Sequence, residues 1–113
     1  MRCPEGLSPA STGDPRTVIT HVVLYQFHDP NDAAAAKGQL EALRGRIKSI
    51  RSLAVGIDAG RNGSPWQLAL TTTHDDWEAL TAYREAAAHR EVVDWLTPRV
   101  AARASVDFES ATG

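Results

Sequence analysis

Among the histidines and tyrosines of this sequence, three are candidates to move protons together: His21, Tyr83 and His89. A histidine near its ordinary pKa of ~6.5 exchanges protons at neutral pH, whereas a tyrosine near ~10 stays protonated and donates a hydrogen bond. Tyr83 and His89 lie in the stretch Trp77–Leu96, WEALTAYREAAAHREVVDWL. Used as a pair, His89 would take a proton from a carbon beside a carbonyl, and Tyr83 would hold the developing enolate oxygen. His21, inside the run THVVLYQF, would hold a second polar substrate group or a water. Each residue also has a plainer use. His21 can bond a backbone group or a partner chain, His89 can bond backbone at a helix start, and Tyr83 can simply bury its ring.

The pairing depends on the chain between the two residues. On an unbroken helix, positions six apart turn through about 600° and point about 120° away from each other. Tyr83 and His89 converge only if the helix bends. The run Ala86-Ala87-Ala88 favours continuous helix. Against that, Trp77 and Leu80 do not form one clean stripe with Val92, Val93 and Leu96. We therefore expect a bend near Ala86 to Ala88.

The elements that must position these residues are read from periodicity. Thr17–His28, TVITHVVLYQFH, is β-branched and aromatic, and reads as a strand. Val18, Val22 and Leu24 form one face and Ile19, His21, Val23, Tyr25 and Phe27 the other, so both faces are mostly apolar and both need cover. A turn at Asp29–Asp32 leads to a helix whose stripe is Ala33, Ala36, Leu40, Leu43, Ile47 and Ile50. Gly38 and Gly45 weaken it by roughly 1 kcal/mol each relative to Ala. Ser52–Ala59 and Trp66–Thr73 read as two strands of a hairpin around the Gly60–Pro65 loop. Thr73-His74-Asp75 is read as the cap of the next helix, with Asp75 and Glu78 in the manner of a capping box. Pro98 marks a helix boundary, and Ala104–Glu109 alternates Val106 and Phe108 with Ser105, Asp107 and Glu109 as a last strand.

The order βαββαβ is the α+β ferredoxin-like arrangement, an antiparallel sheet with its helices on one face. The first strand is apolar on the other face too. A lone domain would leave that surface bare, so an identical chain is expected to cover it with its own sheet, as a homodimer. We divide the chain into a flexible tail at 1–16, a domain at 17–109 and a short C-terminal tail at 110–113.

Composition limits the partners. Net charge is −2 with 42% hydrophobic and 23% charged residues, which fits a globular domain and gives no electrostatic case for nucleic acid or an anionic membrane. No apolar run approaches the ~18 residues of a membrane helix. The single Cys3 allows no internal disulfide, in keeping with a cytoplasmic location. His28-Asp29 and His74-Asp75-Asp76 sit at turns, where Asp is expected as a cap, so no metal site is expected. Gly60-Arg61-Asn62-Gly63 is a turn rather than a phosphate loop, because no helix comes after it.

THVVLYQF, WQLALTTT, LTAYREAAAHREVVDWL and SVDFE together resemble the stress-responsive dimeric α/β-barrel (Dabb) domain across about Thr17 to Glu109. The family includes the plant polyketide cyclase that makes olivetolic acid. The resemblance implies a homodimeric barrel and a cofactor-free intramolecular aldol condensation. By position it carries a strand His onto His21, a helix Tyr onto Tyr83 and a base His onto His89. Where the family commonly reads H-P-x-H, this chain has Ala86-Ala87-Ala88-His89, so a His and a Pro are both missing. A further family His, on the hairpin strand, falls on Gln67. A lining of Val23, Tyr25, Phe27, Trp66 and Leu68 would suit a small hydrophobic, aromatic or polyketide-like carbonyl compound in the barrel.

Three classes of function stay open. One is a cofactor-free cyclase, lyase or isomerase, and a second is a non-catalytic ligand-binding or stress-response dimer. The third, a cofactor-independent monooxygenase, is a fold analogy only. The Asn residues such enzymes use are represented here by Asn31 and Asn62, both in expected loops.

Overall fold

The structure, a computed structural model, describes residues 17–111. The expected tail at 1–16 and the last two residues lie outside them. Strand β1 (Thr17–Phe27) leads through a turn to helix α1 (Asp32–Glu41) and a 3₁₀ turn (Ala42–Gly45). Then come β2 (Ser52–Ile57), β3 (Leu68–His74), α2 (Trp77–Glu85), α3 (Ala87–Leu96) and β4 (Val100–Ala111). The sheet order is β2-β3-β1-β4, antiparallel throughout. The fold is therefore α+β and ferredoxin-like, with β1 and β3 central.

Strand alternation sorts the two faces. Ile19, His21, Val23, Tyr25 and Phe27 are all buried, and most of them join Leu40, Leu43, Leu68, Leu70, Leu80, Tyr83, Val92 and Leu96 in one core under the helices. The opposite face carries Val22 and Leu24 on β1, with Val106 paired to Val22 and Phe108 paired to Thr20. Val106 is 55% exposed and Phe108 44%, so the apolar residues of β4 face away from the helices.

Several elements depart from their sequence-based limits. The helix expected to run to Ile50 loses α geometry at Ala42 and ends at Gly45. Leu43 and Ile47 are still buried through the tighter turns, so packing survives where the helix does not. β4 begins at Val100 and runs to Ala111, so Ser110 and Ala111 are strand and not tail. Their pairing with Val18 and Thr17, and a 2.7 Å bond between the Thr20 and Ser110 hydroxyls, hold them there. His74 belongs to β3. The cap of α2 is Asp76, whose carboxylate accepts from the Ala79 amide at 2.8 Å, while Asp75 pairs with Arg51 instead.

Between α2 and α3 the chain breaks at one residue. Ala86 is extended (φ −63°, ψ 140°), and its carbonyl then accepts the first hydrogen bond of α3, from the Arg90 amide. The Arg90 guanidinium takes up the Glu85 carbonyl left open at the end of α2. The cause lies in two buried stripes out of phase. Leu80 and Tyr83 face the sheet from α2; Ala88, Val92 and Leu96 face it from α3. On one straight helix Tyr83 and Ala88 would diverge by about 140°. Burying both stripes outweighs the alanines' preference for continuous helix.

Candidate active site

The break turns Tyr83 and His89 towards each other, with ring centroids 4.6 Å apart. Tyr83 is 1% exposed, and two more imidazoles flank it: His74 at 5.0 Å and His21 edge-on at 5.8 Å. All three residues picked from the sequence thus meet under α2 and α3, and a fourth, His74, joins them.

His21 is oriented by charge. Its Nδ1 lies 2.5 Å from a carboxylate oxygen of Asp107, the residue directly opposite on β4, and the other Asp107 oxygen accepts from Arg84 of α2. An ionised carboxylate only accepts, so Nδ1 carries the proton and Nε2 is the nitrogen left for a ligand. Burial pushes the Asp107 carboxyl up. The hydrogen bonds and charges of His21 and Arg84 more than reverse this and hold it below the ordinary carboxylate value.

Burial lowers the proton affinity of His89, opposed by the Arg84 backbone carbonyl and reinforced by His21, Arg103 and Arg84. His89 occupies the first turn of α3, where the helix dipole also disfavours a cation. It is therefore neutral at pH 7. Its Nδ1 is buried without a hydrogen-bond partner among the described residues. Burial drives the Tyr83 hydroxyl well above its ordinary pKa, so it remains a donor. His74 is spent structurally: Nδ1 donates to the Ser49 carbonyl at 2.8 Å and Nε2 accepts from the Thr72 hydroxyl at 2.8 Å.

A cavity of about 170 Å³ opens beside these rings, lined by His21, Tyr25, Tyr83, His89, Val93 and Arg103 among others. It lies between the sheet and the helices of a single chain rather than in a space shared by two sheets. Of the expected apolar lining, Tyr25 borders it. Val23 and Phe27 pack in the core, with Phe27 stacked on Tyr25. Trp66 and Leu68 edge a separate groove with Leu24 and Ile57. Gln67 is used to receive the Phe27 amide at 2.7 Å.

Asp107 and Arg103 were not singled out by the sequence. Alternation along the last strand separates Val106 and Phe108 from Ser105, Asp107 and Glu109 without saying which set faces the helices, and in the structure it is the set with Asp107. Antiparallel pairing opposite His21 was the available signal for Asp107. The described residues contain no cluster of three or more His, Cys, Asp or Glu side chains suited to a metal ion.

A four-stranded antiparallel sheet with helices on one face and a polar pocket beneath them defines a ferredoxin-like α+β domain of the barrel-forming kind. The stress responsive A/B barrel domain model matches residues 19–110, and the chain belongs to that family. A dimeric ferredoxin-like protein of unknown function from Bacteroides fragilis is 26% identical with a TM-score of 0.74, over 82% of this chain and 96% of its own. An Arabidopsis thaliana protein is 18% identical with a TM-score of 0.72, over 84% and 97%. A hydroxynitrile lyase from Passiflora edulis shares the fold at a TM-score of 0.75 with 10% identity, over 88% and 98%. No curated protein matches in sequence.

Proposed function

We propose that the pocket under α2 and α3 binds a small carbonyl compound and shuttles a proton at the carbon beside its carbonyl, by acid–base chemistry of the aldol, lyase or isomerase type. The observation that carries this reading is the convergence of Tyr83 and His89 at 4.6 Å beside the His21–Asp107 pair. A base becomes a cation when it accepts a proton. Asp107 holds the Nδ1–H of His21 at 2.5 Å and leaves Nε2 bare, whereas burial and neighbouring positive charge oppose a cation on His89. We therefore give the proton-accepting role to Nε2 of His21. Neutral His89 and protonated Tyr83 donate to the enolate oxygen. A lyase in Passiflora edulis on the same fold is compatible with such chemistry.

The working form we propose is a cytoplasmic homodimer, joined through the sheet faces that bear Val22, Leu24, Val106 and Phe108. The apolar character of that face supports it, as does the dimeric relative from Bacteroides fragilis.

The test is a screen of aromatic and polyketide-like carbonyl compounds for turnover and for exchange of α-hydrogens into deuterated water, monitored by NMR. His21→Ala, Tyr83→Phe and Asp107→Asn should each slow exchange by about 10²-fold or more, the usual scale of a general acid–base group. Circular dichroism should show the fold retained. Exchange at the wild-type rate in all three variants overturns the reading. Saturable binding without any exchange would leave the pocket as a ligand-binding module, the non-catalytic alternative.

A further inference from the structure

One charged group at the pocket has no use in the proton chemistry. Arg103 lies on β4 directly opposite Tyr25, and both border the cavity. Among the described residues it makes a long hydrogen bond, 3.4 Å to the Ser105 hydroxyl, and its guanidinium also reaches the Tyr25 hydroxyl at the cavity edge. Among those residues no carboxylate lies within ion-pair distance of it: Asp107 is taken by Arg84 and His21, Glu91 by Arg46 and Asp75 by Arg51. Its charge is nonetheless felt inside, because it favours the ionised forms of Tyr25 and Tyr83 and the neutral form of His89. An exposed guanidinium at the rim of a cavity lined by uncharged rings and aliphatic side chains is a planar two-point donor for a carboxylate.

The cavity limits the size of the group that a carboxylate on Arg103 can carry inward. At about 170 Å³ it compares with the ~150 Å³ cavity that accommodates a benzene ring. A long polyketide chain does not fit within it, but one ring with a small substituent does. The inner wall of the cavity is formed by the rings of His21, Tyr83 and His89, which present polar edges to the carbonyl of the ligand.

We propose that Arg103 selects anionic ligands, so that the pocket takes small monocyclic carboxylates bearing a carbonyl, with the carboxylate at the rim on Arg103 and the ring and carbonyl inward. This rests on the proposed function for the carbonyl and on the cavity alone for the carboxylate.

Benzoate and its neutral isostere benzamide separate the two. Neither has an α-hydrogen to exchange, so calorimetric or NMR titration reads anion recognition independently of turnover. Wild type should bind benzoate about tenfold or more tighter than benzamide, the scale of one charge-assisted hydrogen bond. Arg103→Gln should abolish that preference, and Arg103→Lys should restore part of it. Arg103 is exposed, so both variants should melt like wild type. Equal binding of the two probes, a preference that survives Arg103→Gln, or no saturable binding of either at millimolar concentration overturns the proposal. Anion preference intact with no α-hydrogen exchange on any carbonyl acid overturns the proton-transfer reading instead.

Discussion

Tyr83 is surrounded by three imidazoles, and each is held in a different state by its neighbours. Asp107 fixes the tautomer of His21 through Nδ1, burial and a helix start favour neutral His89, and two hydrogen bonds lock His74. His74 is 0% exposed, and burial lowers its pKa, with the Ser49 carbonyl opposing. As pH falls, the unfolded chain takes up a proton here at ~6.5 while the folded chain resists it. The stabilisation is therefore fully present above about pH 6.5 and is lost as pH falls towards the lower folded value. His89 has the same sign. Thermal melts should show a fall in midpoint between about pH 7.5 and 5.5, and a smaller fall in His74→Asn, whose amide can still donate to Ser49. Equal falls in the two proteins would show that His74 is not the group being protonated. His74→Ala should cost about 2–4 kcal/mol at neutral pH, since it leaves a cavity and two unsatisfied groups.

At the scale of elements, the break at Ala86 decides whether a site exists. The backbone there has the extended ψ that a residue before proline requires, and Ala87 is the first residue of α3, where no intrahelical amide bond is lost. Ala87→Pro should therefore be tolerated. It should stabilise the chain by about 0.4–1 kcal/mol through the unfolded state, read as a higher denaturant midpoint with an unchanged slope. A loss of more than about 1 kcal/mol would mean that α2 and α3 join as continuous helix in solution. The break itself was legible in the sequence, because two apolar stripes with incompatible phase cannot share one axis. The stop of α1 was not, since Ala42–Gly45 keeps Leu43 buried in either geometry. Nor was the facing of β4. Alternation shows that Val106 and Phe108 share a face but not which one, and a sheet apolar on both faces removes the contrast that would decide. Without the facing, Asp107 and Arg103 could not be placed at the site, whereas His21, Tyr83 and His89 needed only residue type and a bend.

For the whole molecule, the exposed face of the sheet is the unsolved burial problem. Val106 and Phe108 project from it beside Val22 and Leu24, which the helices cannot reach. A second copy related by a two-fold axis would bring like apolar surface to like, and any substitution there would count twice. A carboxylate introduced on that face would be buried unpaired in both chains, at a cost of several kcal/mol. Phe108→Glu should therefore raise the dimer dissociation constant by about 10²-fold or more. Light scattering or sedimentation at micromolar concentration should show wild type as a dimer and the variant as a monomer. The cavity faces the helices and not this surface, so the isolated variant should keep the benzoate preference that Arg103 confers. A monomeric wild type would overturn the homodimer. A variant that dissociates and also loses benzoate binding would place a contribution to the pocket in the second chain, by way of β4, which carries Phe108 on one face and Arg103 and Asp107 on the other.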